Sequence, residues 1–196
     1  MKKFELTSET KINIFGKKLF RIKALISFGD VEAGETGGWV EKEGNVNQSG
    51  DAWVSGNAEV SGDAMVFGNA EVFGNARVSG DARVSGNARV FGNARVSGDA
   101  RVSGNARVSG DAMVSGNARV FGSADYTTIH GFGTQFRTTT FFRCKDKKVR
   151  VACGCFFGTI PEFREQVKNT RKGKIAEEYL MIADLMEKHF EVKSNE

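Results

Sequence analysis

The chain is poor in the residues that most often carry chemistry or covalent bracing. Among 196 residues there is one proline, Pro161, with three cysteines and two histidines, His130 and His189. A single proline against 24 glycines excludes a proline-rich linker, and the glycines recur every sixth residue rather than every third, which excludes a collagen-like strand. The odd cysteine count, with Cys153 and Cys155 too close for an easy mutual disulfide, argues against a disulfide framework and for reduced thiols in a cytoplasm. No run approaches eighteen apolar residues and no apolar stretch follows Met1-Lys2-Lys3, so neither a membrane span nor an export signal is expected. A glycine-rich phosphate loop before a helix and a Ser-His-Asp pattern are both missing. Nothing in the sequence calls for a cofactor.

What is present is a period of six. From Val54 to Val120 a valine falls at every sixth position, twelve in succession, within the unit Val-Ser/Phe-Gly-Asn/Asp-Ala-x. In each unit the stretch Ala-x-Val-Ser/Phe alternates small apolar, variable, apolar, variable, which is a short strand with Ala and Val facing inward. Gly followed by Asn or Asp supplies a corner, because these residues tolerate the left-handed backbone conformation of a sharp turn. Three strands and three corners close an eighteen-residue coil, and coils stack at about 4.8 Å, so four coils make a prism roughly 19 Å tall.

This pattern resembles the hexapeptide-repeat, left-handed parallel β-helix family, with the aliphatic residue and the small residue four places on standing at Val54 and Ala58, Val60 and Ala64, and onward to Val120 and Ala124. The resemblance implies an all-β left-handed parallel β-helix of about four 18-residue coils, and coil faces that associate as dimers or trimers. Stretches such as Gly37-Gly38-Trp39-Val40-Glu41 leading into Gln48-Ser49-Gly50-Asp51-Ala52-Trp53-Val54 are similar to the lead-in of uncharacterised bacterial and phage hexapeptide-repeat proteins. That similarity implies inhibition of a host defence system by binding as a biological setting.

Stacking at eighteen residues predicts three valine ladders and lets the outward positions be read as columns. Arg77 and Arg95 share one face, Arg83, Arg101 and Arg119 a second, and Arg89 and Arg107 a third, with seven acidic residues among them. Such a surface screens itself and lacks the one-sided charge of a nucleic-acid track. Phe67, Phe73, Phe91 and Phe121 replace the outward serine, and outward aromatics on a polar coil mark an interface, with another segment of the chain or with a second subunit.

Three segments follow: an extended capping segment over 1–47, the helix of coils over 48–125, and a small α+β domain over 126–196. In the first coil Gln48 is expected to occupy the valine slot. In the last segment the Lys145-Asp146-Lys147 turn suggests a β-hairpin, Thr159 and Glu162 form a capping box for one helix, and Ile175, Tyr179, Ile182, Leu185 or Met186, and Phe190 keep helical spacing in a second.

The net charge of +4 sits entirely in this last third, which holds thirteen basic and nine acidic residues. Arg137, Arg143, Lys145, Lys147, Lys148 and Arg150 are accompanied only by Asp146 within fourteen residues, interleaved with Phe136, Phe141 and Phe142. Cations beside aromatics suit an acidic protein partner, a nucleotide or single-stranded nucleic acid, or else form a solvated hairpin whose phenylalanines are its core. Cys144, Cys153 and Cys155, with His189, are the candidate metal ligands, although Cys-x-Cys is not zinc-knuckle spacing and buried thiols are equally at home on a strand.

Hexapeptide-repeat acyltransferases typically use a histidine base near a groove between subunits, often with a loop extruded from the coil. Here no histidine lies within the coils, the run from Val54 to Val120 admits no insertion, and His130 just beyond the last coil is the sole candidate base. The expectation is a non-catalytic, cytoplasmic, oligomeric scaffold presenting a basic C-terminal binding domain. An acyltransferase and a nucleic-acid-binding module remain the alternatives.

Overall fold

Each hexad forms a strand only two residues long, so its stability comes from stacking rather than from its own length. The computed structural model describes residues 2–191. Twelve such strands, β4 to β15, run from Trp53–Val54 to Arg119–Val120 and pair in parallel with the strand eighteen residues on. Val54, Val72, Val90 and Val108 form one inner column, Val60, Val78, Val96 and Val114 a second, and Val66, Val84, Val102 and Val120 a third. Every one of these valines, and every alanine from Ala58 to Ala118 in the repeat, is fully buried. The ladder is regular: Arg77 N–H donates to Ala94 O at 2.9 Å and Ser79 N–H to Val96 O at 2.9 Å. The fold is a parallel β-solenoid.

The corners explain the invariance of glycine within the repeat. Gly86 sits at φ +66°, and a Cβ added there would lie 3.0 Å from the backbone nitrogen of Gly104 in the next coil. Both the left-handed backbone and the close approach require a residue without a side chain. Beside the glycines, Asn57, Asn75, Asn93 and Asp111 pass a hydrogen bond from amide to acceptor up one edge at 3.0 to 3.3 Å. Asn69, Asn87 and Asn105 do the same on another at 3.2 Å. Such amide ladders extend the backbone pairing to the side chains.

The first coil begins earlier than the valine period suggests. Strand β3, Thr36–Val40, pairs in parallel with Glu59 and Val60, and Val46 bridges Val66, so the Val40, Val60, Val78, Val96, Val114 column is five rungs deep. Val46, not Gln48, takes the inner slot. From Val46 to Val54 the chain uses eight residues where each later side of a coil uses six. The two extra residues free Gln48 to act as a backbone mimic. Its Oε1 accepts from the N–H of Lys3 at 2.7 Å and of Phe4 at 3.3 Å, and its Nε2 donates to Phe4 O at 3.1 Å.

An open solenoid end exposes unpaired strand edges and needs a cover. At the N-terminal end the cover is an antiparallel pair, β1 (Phe4–Ile12) and β2 (Lys18–Ala24), continuous with β3 in the same sheet. Phe4 and Phe28 meet Trp53 edge to face at 6.1 and 5.4 Å. Orphan carbonyls receive side-chain donors: Asn45 Nδ2 reaches Gly62 O and Ala64 O at 3.0 and 2.8 Å, and the buried Lys3 ammonium reaches Gly50 O and Ala52 O at 3.0 and 2.8 Å. Burial pulls the Lys3 pKa down to about 8, against a smaller opposing pull from Asp51.

The C-terminal end is covered by a four-stranded antiparallel meander, β16 (Tyr126–Phe132), β17 (Arg137–Arg143), β18 (Val149–Cys153) and β19 (Phe156–Thr159), wider than the hairpin expected. Helices α1 (Ile160–Thr170) and α2 (Gly173–Glu191) pack on its outer side. Thr159 and Glu162 form the capping box, with Glu162 N–H donating to Thr159 Oγ1 at 3.3 Å. In α2 it is Met186 that is buried, while Leu185 is exposed. Alternation along β17 drives the sheet into both neighbours. Phe142 and Cys144 join the solenoid core together with Ala152, whereas Phe141 and Val151 join the core under the helices. Polar groups complete the cover: Met113 N–H donates to Thr140 Oγ1 at 3.0 Å, Tyr126 OH donates to Arg107 O, and Lys145 N–H donates to Asn117 O at 3.1 Å.

Candidate binding site at the capped solenoid end

The turn from β17 to β18 is where the basic residues converge. Asp146 Oδ1 accepts the N–H of Lys148 at 3.1 Å, an Asx-type turn, and Lys147 takes a left-handed backbone at φ +63°. The same carboxylate pairs with Arg150 at 2.7 Å, and these contacts hold Asp146 below the usual carboxylate range against the effect of its burial. Arg150 is therefore committed to bracing the turn. Arg143 is also committed: it donates to Phe190 O, lies 5.3 Å from the Phe190 ring and has its Nε 3.8 Å from Asp125.

The six basic residues singled out in the sequence thus separate. Lys145, Lys147 and Lys148 are exposed and enter no ion pair among the described residues. Arg143 and Arg150 position the turn. Arg137 lies at the far end of β17, about 20 Å away for seven extended residues. Phe141 and Phe142 are fully buried on opposite faces of β17, so neither can stack on a ligand, and Phe136 alone of the three is exposed.

Two grooves flank the turn, with Arg143 and Lys147 contributing to both. The wider, about 730 Å³, runs along the last coil and is lined by Arg119, Phe121, Asp125, Arg143, Cys144, Lys145 and Lys147. The narrower, about 440 Å³, lies against the start of α1 and is lined by Arg143, Lys147, Lys148, Thr159, Pro161, Glu187 and Phe190 among others. Arg119 was not marked as part of this site by its local sequence, and Phe121 was marked only as an outward aromatic of the coil. The signal that finds them is the eighteen-residue register, which makes Arg119 the last of the Arg83, Arg101, Arg119 column, with no coil beyond it. Phe121 is 58% exposed in the groove.

The remaining outward phenylalanines lie elsewhere. Phe73 and Phe91 stack in parallel on neighbouring coils, with centroids 4.9 Å apart and planes within 1°; these two rings and Phe67 are all half-buried.

The cysteines do not assemble. Cys144 is buried in the solenoid core, and burial pushes its thiol up to about 11, with Asp146 adding to the shift while Arg150 and Arg119 oppose it. Cys153 ends β18 and accepts the Thr139 hydroxyl at 3.1 Å, and Cys155 is exposed in the following turn rather than beside Cys153 on a strand. His189 packs edge to face on Phe190. Among the described residues no group of three or more His, Cys, Asp or Glu side chains has the geometry to hold a metal ion. His130 is exposed, with Nδ1 3.1 Å from Thr138 Oγ1. No described helix is long and apolar enough to cross a membrane.

Stacked two-residue strands, glycine corners and covered ends define a β-solenoid repeat protein. The repeat region is similar to the YdcK β-solenoid repeat family, whose model matches overlapping segments at residues 70–86, 82–98, 88–104, 94–110, 100–114 and 106–121. These matches fall within 70–121, just over a quarter of the chain, and include neither cover. Comparison with curated proteins gives no significant match.

Proposed function

We propose that the protein is a non-catalytic binding scaffold: an oligomeric β-solenoid that holds its basic C-terminal cover rigidly against an acidic surface of a partner protein. The observation that carries this reading is the division of labour at the turn. Arg143, Arg150 and Asp146 use their charges to hold the loop, while Lys145 and Lys147 project from it beside Arg119 and Phe121 and Lys148 faces the groove against α1. Cations beside an exposed aromatic in a groove are what interface anchors require. Asp125, Asp146 and Glu187 interrupt the positive field, and Asp81 and Asp99 sit on the corner leading into the Arg83 and Arg101 column. Such short, mixed charge suits a folded protein better than the long one-signed track of nucleic acid.

The chains associate through the coil face bearing Phe73 and Phe91, where two stacked rings stand on an otherwise polar surface. The resemblance to phage hexapeptide-repeat proteins sets this binding role in inhibition of a host defence system. A photo-cross-linking side chain at position 147 should capture a discrete partner from bacterial lysate, while the same side chain at position 101 on the coil should not. Equal capture at both positions contradicts the reading.

A further inference from the structure

A second groove, of about 400 Å³, lies where the tip of the β16–β17 hairpin stands beside the solenoid wall, at the opposite end of β17 from the lysine turn. Arg95 and Met113, neighbours on successive coils, supply its wall, and His130, Phe136 and Arg137 supply its rim. We infer that this groove binds a free nucleoside monophosphate, a planar heteroaromatic ring carrying one phosphate.

Several observations converge on that ligand. Phe136 is 64% exposed and held at φ +46°, a left-handed backbone that a bulky aromatic residue rarely adopts. Local strain of this kind is retained where it positions a group for binding. Its ring stands at the groove while Phe141 and Phe142 of the same hairpin fill cores, so it is the aromatic available for stacking on a base. Arg95 and Arg137 are exposed and neither enters an ion pair among the described residues, which leaves two guanidinium forks for one phosphate.

Arg137 Nη1 lies over Gly154, 2.6 Å from where a Cβ would stand there, so the guanidinium rests against the β18–β19 turn at the edge of the groove. His130 Nδ1 lies 3.1 Å from Thr138 Oγ1, which leaves its other ring nitrogen available to a ligand at the rim. The acidic residue of the groove, Asp111, is engaged by the Asn93 amide at 3.0 Å. The half-buried Met113 adds a flexible apolar surface to the wall of the groove. The groove volume falls in the range of small-ligand sites.

Isothermal titration of the full chain with the 5′-monophosphates of adenosine, guanosine, cytidine and uridine tests the assignment. At least one should saturate at one per chain. Phe136→Ala and Arg137→Gln should each weaken it tenfold or more, while Lys147→Glu leaves it unchanged. The unphosphorylated nucleoside and inorganic phosphate alone should each bind at least tenfold more weakly. Circular dichroism of the exposed-site variants Phe136→Ala and Arg137→Gln should match the parent, which separates lost binding from lost fold. Absence of saturation by all four nucleotides up to millimolar concentration overturns the proposal, as does binding indifferent to Phe136 and Arg137. A single-stranded oligonucleotide that binds a hundredfold tighter than its mononucleotide overturns the assignment to a free nucleotide.

Discussion

Phe141 and Phe142 are adjacent in the chain and both fully buried, yet they belong to different cores, Phe142 under the last solenoid coil and Phe141 beneath the helices. One strand thus fastens two units together. Phe142→Ala should destabilise the protein by about 3–5 kcal/mol, the usual cost of emptying a buried phenylalanine site. Hydrogen exchange should rise first at the last coil, around Val108, Val114 and Val120. Phe141→Ala should carry a similar cost but release α1 and α2 first. Identical exchange patterns in the two variants would show that the cores are not separate.

The corner glycines give a matched pair. Gly86→Ala forces a side chain into a left-handed backbone and to within 3.0 Å of Gly104 N. It should lower stability by about 1 kcal/mol or more, the cost of alanine where the native φ is positive. Gly122, with no positive φ and no heavy atom within 4 Å of an added Cβ, should accept alanine within about 0.5 kcal/mol. Equal melting temperatures for the two variants would contradict this account of the corner.

Lys3 makes stability depend on alkaline pH. Its folded-state pKa is lowered to about 8 from 10.5, so between these values the unfolded chain binds more protons than the folded one. Stability therefore rises with pH across that window relative to a variant lacking the group. Denaturant titrations of the parent and of Lys3→Met should diverge in the parent's favour as pH increases from about 8 toward 10.5. Parallel curves would mean the ammonium is not buried at Gly50 O and Ala52 O.

Phe73 and Phe91 occupy positions where Ser55 and Ser109 stand in the first and last coils of the same column. Serine is thus already compatible with the backbone. Phe73→Ser with Phe91→Ser should leave the fold intact by circular dichroism and convert the proposed oligomer to monomer in light scattering. An unchanged assembly mass would remove this face as the interface.

Much of this architecture was legible in the residues because a strict period leaves little choice. Valine and alanine positions fixed the inner columns, and Thr159 with Glu162 fixed the start of α1. The first coil was less legible, since two additional residues after Val46 displace Gln48 from the slot its eighteen-residue spacing assigns it. The width of the C-terminal sheet was also hidden, because β19 is only four residues long and follows β18 through a two-residue turn at Gly154 and Cys155. The basic run marked the right turn but not its internal roles. Which arginines are consumed by Asp125, Asp146 and Phe190 depends on contacts up to forty-seven residues apart, as for Arg143 and Phe190.

The central claim is that the solenoid holds and the lysine turn binds. Deleting residues 126–196 cannot test it, because Phe142, Cys144 and Thr140 cover the last coil. The direct measurement is affinity capture with two full-length variants, Lys145→Glu with Lys147→Glu and Lys148→Glu in one, and Arg83→Gln with Arg101→Gln in the other. The account predicts that the first loses the captured partner at least tenfold and the second retains it. Loss by the coil variant with retention by the lysine variant would contradict it.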